Sequence, residues 1–336
     1  MQQHGGNIFR HPGVLDFSAN LNPFGCPPSV RQAVLEGAPL WEHYPDPDCT
    51  QLCRVLARQH GVTPEQIAAG SGADDLLFRS MAALRPERVL LCAPSFSEYE
   101  RAARQCGIPV QYHELRRQED FALTGRILGE IPAHALVILC SPNNPTGQCI
   151  APALLGAIGE RCAAAGSLLM LDACFLPFTH EKLPPPSPHL LTLHAYTKTH
   201  CIPGLRIGYC VCGDADTAGR IRATGQFWSV SAPAQAAGLA CAGETACVEA
   251  ARALYDAERP RLTRALENAG IRVFPSQAGF LLLQSRYPLY ERLLGQGILI
   301  RSCESFAGLG KDYYRICIRT REENDRLIEA VRRCIE

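Results

Sequence analysis

Tyr196-Thr197-Lys198-Thr199-His200-Cys201-Ile202-Pro203-Gly204-Leu205-Arg206-Ile207-Gly208-Tyr209 is the stretch whose reading decides the fold. It sets a single lysine ahead of a Gly-Leu-Arg turn. A lysine alone is ordinarily a solvated surface residue. The neighbouring segments change its meaning. Ser167 to Leu171 reads as an apolar strand that ends in Asp172, and Leu190 to His194 as another that leads directly into the lysine segment. A carboxylate at the end of an apolar strand either caps the next helix or meets a cation, because a buried unpaired aspartate is costly.

Further upstream, Arg88 to Cys92 and Ala135 to Leu139 are apolar runs of the same kind, separated by helical patterns. Strands alternating with helices predict an α/β fold with a mostly parallel sheet covered on both faces. The runs end at Ala93-Pro94-Ser95, Ser141-Pro142-Asn143-Asn144-Pro145 and Asp172. Ligands of open α/β sheets bind at such carboxyl ends. From about Gln226 the pattern changes to long helical stretches, including Ala234 to Asn268, then short apolar segments at Phe280 to Leu283 and Ile298 to Ile300. These predict a smaller α+β lobe. The expected division is 1–35 for an N-terminal arm with part of the small domain, 36–228 for the large domain and 229–336 for the small C-terminal domain. Leu183 to Pro188 reads as a surface loop.

Two turns add chemistry. Ser141-Pro142-Asn143-Asn144-Pro145-Thr146-Gly147 has the prolines and glycine to fix a turn that aims the Asn144 amide, although an ordinary loop uses the same residues. Ala69-Gly70-Ser71-Gly72-Ala73-Asp74-Asp75 is a small-residue turn opening a helix, so its N–H groups and the Ser71 hydroxyl suit a phosphate.

Taken in order, Gly-Ser-Gly-Ala at 70–73, Asn-Asn-Pro-Thr-Gly at 143–147, Asp172, Lys198 and Arg206 resemble the fold-type I pyridoxal-5′-phosphate (PLP) aminotransferase family over nearly the whole chain. The resemblance implies a large domain with a central, mostly parallel sheet plus a smaller α+β domain. It makes Lys198 the lysine joined to PLP, pairs Asp172 with the pyridine nitrogen, and points Asn144 at the ring oxygen. Ser71, Gly72, Ala73, Thr197 and Arg206 would hold the cofactor phosphate. Phe96 falls where the family stacks an aromatic ring on the cofactor, against the plainer reading of a core aromatic. Tyr44 resembles the tyrosine that relatives lend to the cofactor phosphate of a neighbouring subunit, which implies a homodimer.

Within the family the chain resembles two groups, the histidinol-phosphate aminotransferases and the L-threonine-O-3-phosphate decarboxylases of cobalamin biosynthesis, and four features favour the second. His4-Gly5-Gly6-Asn7, followed by Leu15 to Pro23 with Asn20, resembles an arm that folds over the substrate. Phe175 stands three residues beyond Asp172, where aminotransferases carry a tyrosine; it has no hydroxyl to offer. Ile298 to Cys303 and Tyr313 to Arg319 are near matches to the decarboxylase pattern and bring arginines to the site. A substrate with a carboxylate and a phosphate needs fixed cations, and the planar fork of arginine suits both. Arg315 is expected on the carboxylate and Arg301 with His4 on the phosphate, with Gly5, Gly6, Asn20 and Asn144 completing the substrate set. Structural salt bridges are the ordinary alternative for both arginines.

The implied reaction is decarboxylation of L-threonine O-3-phosphate to (R)-1-amino-2-propanol O-2-phosphate. L-serine O-phosphate differs by one methyl group, a difference of only about 1–3 kcal/mol in recognition. Transamination of the histidinol-phosphate kind and a PLP-binding protein without turnover are the alternatives. Three positions depart from the family: Ala195 replaces a Ser or Thr that helps with the phosphate, and Ala173-Cys174 replaces Glu-Ala.

Composition excludes other classes. Lys+Arg and Asp+Glu are equal at 33 each, so no overall field recruits nucleic acid or an anionic membrane. The segment MQQHGGNIFRHPG has no apolar core of a signal peptide, and no run approaches the roughly 18 apolar residues of a membrane span, so a cytoplasmic location is expected. The 17 cysteines are scattered through apolar runs and read as small core hydrophobes. Neither Cys49/Cys53 nor Cys210/Cys212 has zinc-site spacing, and no metal is expected.

Overall fold

The computed structural model describes residues 4–335, so Met1–Gln3 and Glu336 of the expected terminal segments lie outside the described residues. The strands are β1 (Leu15–Asp16), β2 (Ile67–Gly70), β3 (Arg88–Ala93), β4 (Val110–Glu114), β5 (Ala135–Cys140), β6 (Leu168–Asp172), β7 (Leu190–Ala195), β8 (Gly208–Cys212), β9 (Arg272–Val273), β10 (Phe280–Gln284), β11 (Ile298–Leu299), β12 (Arg301–Ser302) and β13 (Tyr313–Cys317). The α-helices are α1 (Pro28–Glu36), α2 (Thr50–His60), α3 (Ala73–Leu84), α4 (Ser97–Gln105), α5 (Pro152–Ala164), α6 (Tyr196–Thr199), α7 (Ala215–Ala223), α8 (Ala232–Gly243), α9 (Ala246–Asn268), α10 (Leu289–Leu294) and α11 (Arg321–Ile335).

Seven strands form one sheet in the order β2-β8-β7-β6-β5-β3-β4. The pairs β3/β4, β3/β5, β5/β6 and β6/β7 are parallel, and only β8 runs against its neighbours. The mostly parallel sheet read from the sequence is therefore present. Its strands are apolar on both faces because helices cover both. Val89, Leu136, Ile138 and Met170 pack with Leu76, Leu77 and Tyr99 of α3 and α4. The alternate residues Leu90, Val137, Leu139, Leu169 and Leu171 pack with Leu155 and Ile158 of α5. The register sets Cys140 beside Asp172, Asp172 beside Leu193, and Ala195 beside Gly208, which itself pairs with Gly70. That register collects the carboxyl ends of β2, β5, β6 and β7 along one edge.

A second, antiparallel sheet has the order β12-β13-β10-β9. Leu281, Leu283 and Ile316 pack there with Tyr255, Leu262 and Leu266 of α9 and Leu327, Ile328 and Val331 of α11. The N-terminal arm joins this region through β1, which pairs in parallel with β11.

Several sequence readings need correction. Ala234 to Asn268 is not one helix: α8 begins at Ala232, with the Ser231 hydroxyl accepting from the Ala234 amide at 3.4 Å, and ends at Gly243. The break at Glu244-Thr245 frees the Glu244 carbonyl, which lies 2.8 Å from His200 Nε2 beside the lysine segment. Of Ile298 to Ile300 only Ile298–Leu299 is strand (β11); Ile300 lies between β11 and β12, where the chain leaves β1 and turns to pair with β13. Three strands of the large sheet went unread. β2 is small-residue (Ile-Ala-Ala-Gly), β4 is a half-exposed edge strand, and β8 is masked by glycine and two cysteines. As a proposal for domain limits, the division at 228/229 places α8 in the small domain by sequence, whereas its Ala234, Ala237 and Cys241 pack with Ile67 and Val211 of the large sheet.

Asn22 anchors the arm beneath the lysine. Its amide N–H donates to the Lys198 carbonyl at 3.0 Å, and its Nδ2 donates to the carbonyls of Thr199 (2.8 Å) and Cys247 (3.1 Å). Among the described residues, no helix is long and apolar enough to cross a membrane.

Behind the lysine segment, His60, His194 and Tyr209 stack together, with His194 and Tyr209 centroids 4.7 Å apart. Burial, and then the nearby His60, holds the pKa of His194 well below its ordinary value; burial likewise lowers those of His60 and His200. The unfolded chain takes up these protons below about pH 6.5 while the folded chain does not, so this cost is absent above that pH and grows as pH falls. Chemical denaturation at stepped pH is expected to show a constant stability above about 6.5. Below it, His194 alone should remove up to about 1.4 kcal/mol per pH unit, and His194→Asn should flatten that slope.

Candidate active site

The edge where β5, β6 and β7 end opens into a cavity of about 780 Å³, closed from the other side by β12, β13 and the arm. Asp172, the last residue of β6, is 7% exposed and faces it. Each carboxylate oxygen already has one donor: Tyr99 Oη donates to Oδ2 at 2.6 Å, and the Cys174 amide donates to Oδ1 at 2.9 Å. Because a carboxylate oxygen has two lone pairs, acceptor capacity is left toward the cavity. Lys198 lies on the same wall, with Nζ 3.4 Å from Thr197 Oγ1. Burial lowers its pKa, with Arg206 and Arg315 acting in the same direction and Cys174 and Asp172 opposing them. A desolvated amine of this kind is more readily a free nucleophile or base than a surface lysine.

One end of the cavity is built for an anion. Gly72, at φ +89°, opens α3, and a Cβ there would lie 2.9 Å from Arg206 Nη2. A Cβ on Gly208 would lie 2.7 Å from the Ala73 amide nitrogen. Both positions need glycine, and together they let the helix start, β8 and the Arg206 guanidinium converge. Ala73, Thr197 and Arg206 line the cavity, whereas Ser71 does not, and its amide is used by Asp75 Oδ2 at 2.9 Å.

The other end holds two buried arginines. Arg301 and Arg315 are direct cross-strand partners on β12 and β13 and are 5% and 6% exposed. Neither has a carboxylate partner among the described residues, so the structural salt bridge that is the ordinary alternative for such arginines is not formed. Arg315 donates to Asn144 Oδ1 at 2.5 Å and to the Ser18 carbonyl at 2.6 Å, all neutral acceptors. Arg301 donates to Ser305 Oγ at 2.9 Å. Burial, reinforced by Arg301, lowers the Arg315 pKa to about 10, and burial lowers that of Arg301.

The arm covers this end with Gly5, Gly6 and Asn20. Asn20 is 7% exposed, and among the described residues neither its Oδ1 nor its Nδ2 has a partner. His4 also reaches the cavity, which it lines together with Arg301, and its Nε2 lies 2.9 Å from Glu98 Oε1. A smaller hollow of about 250 Å³ adjoins Arg301 and is lined by Asn7, Arg10 and His11.

The structure thus collects Lys198, Asp172, Asn144, Thr197, Arg206, Ala73, Phe96, Asn20, Arg301, Arg315, Gly5, Gly6 and His4 around one cavity. Phe96 borders it and also packs edge-on to Tyr99 at 5.6 Å, so it is both cavity wall and core rim. Gly72 acts from behind, against Arg206. Tyr44 is outside this cavity; it is 78% exposed and stacks on Trp228 at 4.3 Å. Tyr99 and Glu98 went unread because helix α4 presents them as ordinary amphipathic positions. Arg10 and His11 went unread because nothing in the arm signals which way it folds.

Fold and cleft together define an enzyme of the aminotransferase type. The chain belongs to the class I and II aminotransferase family, whose model matches residues 12–331. It is 38% identical to the threonine-phosphate decarboxylase of Salmonella typhimurium, over 98% of this chain and 95% of that protein. Its fold is similar to the crystal structure of the histidinol-phosphate aminotransferase from Clostridium acetobutylicum (27% identity, TM-score 0.86, covering 96% and 99% of the two chains). It is equally similar to that of L-threonine-O-3-phosphate decarboxylase from Porphyromonas gingivalis (26%, 0.84, covering 94% and 97%).

Like charges directly opposite on antiparallel strands destabilise by about 0.2–1 kcal/mol. Arg301→Met is therefore expected to raise the melting temperature of the ligand-free protein slightly. With PLP filling the Arg206 end of the cavity, the same substitution should remove most of the further stabilisation given by inorganic phosphate, which for a wild-type site at a hundred times its dissociation constant is about 2.7 kcal/mol. Differential scanning fluorimetry with and without phosphate checks both signs.

Proposed function

We propose that the protein is a homodimeric PLP-dependent decarboxylase of L-threonine O-3-phosphate, forming (R)-1-amino-2-propanol O-2-phosphate and CO₂ for cobalamin biosynthesis, with L-serine O-phosphate as a variant substrate. The observation that carries this reading is the pair of buried arginines without carboxylate partners, facing the same cavity as Lys198. Two fixed cations suit a small substrate with two anionic ends. The identity to the Salmonella enzyme supports the same choice.

The cavity fits PLP. Asp172 has acceptor capacity for a pyridinium N–H, Lys198 is a desolvated amine, and the start of α3 with Arg206 forms a phosphate cradle. Lys198 would hold the cofactor covalently, Asn144 its ring oxygen, Phe96 its face, and Ala73, Thr197 and Arg206 its phosphate. Ala195 offers no hydroxyl there, so Thr197 carries that contact. When bound, PLP supplies a conjugated ring that accepts the electron pair left by a breaking Cα bond.

The residues of the chain decide which bond breaks. Arg315, fixed by Asn144 and Ser18, grips the substrate carboxylate from the small sheet, while Arg301 takes the phosphate. Two anchored ends set the rotation about Cα, and orientation selects loss of carboxylate over loss of the proton. The arm, with Asn20 and His4, shields the site from water. Lys198, released from the cofactor when the substrate amine takes its place and protonated, or water would return a proton to Cα. Phe175 leaves that wall apolar, 7% exposed and packed edge-on to Phe280. Tyr44 and Trp228, stacked and exposed, suit a contact with a second copy, and Tyr44 reaching the partner's cofactor phosphate belongs to the same proposal.

Incubation of the PLP-loaded protein with L-threonine O-3-phosphate, L-serine O-phosphate, and histidinol phosphate plus 2-oxoglutarate, followed by mass spectrometry, tests the reading. CO₂ and the phosphorylated aminopropanol without any acceptor are expected; glutamate with no decarboxylated amine would replace it with the transaminase reading. Lys198→Ala should abolish both turnover and the visible absorbance of the bound cofactor. Arg315→Lys should lower kcat/KM by about 100-fold or more, because an ammonium cannot reproduce the two-point grip.

A further inference from the structure

Tyr99 lies on α4, is 1% exposed, and spends its hydroxyl on one acceptor, Asp172 Oδ2, at 2.6 Å. The other oxygen of Asp172 takes the Cys174 amide, so the carboxylate is pinned from two directions and cannot rotate. The same tyrosine ring meets Phe96 edge-on at 5.6 Å and 83°. One side chain therefore touches both the carboxylate at the end of β6 and the aromatic ring that borders the cavity. Burial, and next the negative charge of Asp172, hold the Tyr99 pKa well above its ordinary value, so this phenol remains a donor.

From this geometry we infer that Tyr99 is a positioning residue for the cofactor: it fixes the plane of Asp172 against the pyridine nitrogen and sets how strongly that carboxylate draws the ring proton. The inference rests on the PLP reading of the site. A hydrogen bond donated to a carboxylate spreads its charge, and one made to a charged group in a dry interior is stronger than a surface one. Tyr99 makes no demand on the substrate anions, which sit on Arg301 and Arg315. Its removal is thus expected to act on the electron-accepting step rather than on binding.

The test uses Tyr99→Phe, which keeps the ring and its packing on Phe96, loaded with PLP labelled with nitrogen-15 in the pyridine ring. The expected result is a displaced nitrogen-15 chemical shift together with a kcat lowered roughly tenfold and a KM within about twofold of wild type. An unchanged shift with unchanged kcat overturns the inference while leaving the PLP site standing. A raised KM with unchanged kcat also overturns it, by showing that Tyr99 shapes the substrate pocket. Wild-type protein that takes up no PLP and shows no visible absorbance removes the site reading itself, and the inference with it. Should Tyr99→Phe fail to fold by circular dichroism, a fluorotyrosine placed at position 99 decides the matter. Its more acidic hydroxyl is a stronger donor, and the nitrogen-15 shift must then move in the direction opposite to that of a lost bond; no movement overturns the inference.

Discussion

Two guanidiniums held opposite one another in the interior are the constraint on which the rest of the structure depends. Arg301 and Arg315 face each other across β12 and β13, nearly out of contact with water. Desolvation and mutual repulsion both work against them. Neutral oxygens are what holds Arg315 in place, and they come from distant parts of the chain: Asn144 from the turn after β5 and Ser18 from the arm after β1. A single buried cation thus ties the large sheet, the small sheet and the arm together. Among the described residues the Arg315 Nε finds no partner even so, nor does either polar atom of the Asn20 side chain beside the same cavity. Polar groups buried without partners are uncommon in folded proteins and costly. On this wall they leave hydrogen-bonding capacity directed at the cavity.

The other end of the cleft is governed by backbone proximity rather than charge. Gly72 and Gly208 let α3 begin against β8 closely enough for Arg206 to lie across the helix start. Arg206 itself adopts φ +57°, an uncommon conformation for a residue with a side chain. Ala195, which pairs with Gly208, lines the cavity beside this cradle and offers it no hydroxyl. Small residues here keep the floor of the site close to the sheet.

Much of this was legible in the sequence because it depends on local pattern. The apolar runs before Asp172 and Lys198 are strands buried on both faces, and such runs have few other readings. Asp172 closes β6, Asn144 sits in the turn after β5 and Lys198 follows β7 within one turn, so chain position sets spatial position; Arg315 lies mid-strand in β13 and was legible only through the motif around it. The signals that failed were those that need the third dimension. The sequence sets His4 with Arg301 on a phosphate; that Glu98 on α4, 94 positions along the chain, lies 2.9 Å from its Nε2 is announced in neither segment. Tyr99 is likewise invisible as a partner of Asp172, because a helix facing a sheet requires apolar residues at that position whatever their hydroxyls do. The split of Ala234 to Asn268 follows from tertiary demand: His200 takes the carbonyl that the helix gives up at Glu244.

The fold by itself does not choose the reaction. The chain superposes almost equally on a histidinol-phosphate aminotransferase and a threonine-phosphate decarboxylase, with TM-scores of 0.86 and 0.84, so the shared scaffold leaves the chemistry open. On the proposed reading the choice falls to the walls that differ. A transaminase must admit a second substrate to the same cavity, whereas a decarboxylase can close over one. Here Arg315 is locked by Asn144 and Ser18, and the arm's Gly6 is itself bonded to Ser18 Oγ at 2.7 Å. The carboxylate grip and the lid are therefore mechanically one unit. An arginine that must swing aside for a second substrate is poorly served by such an attachment. One that must hold a carboxylate at a fixed angle until it departs as CO₂ is well served by it.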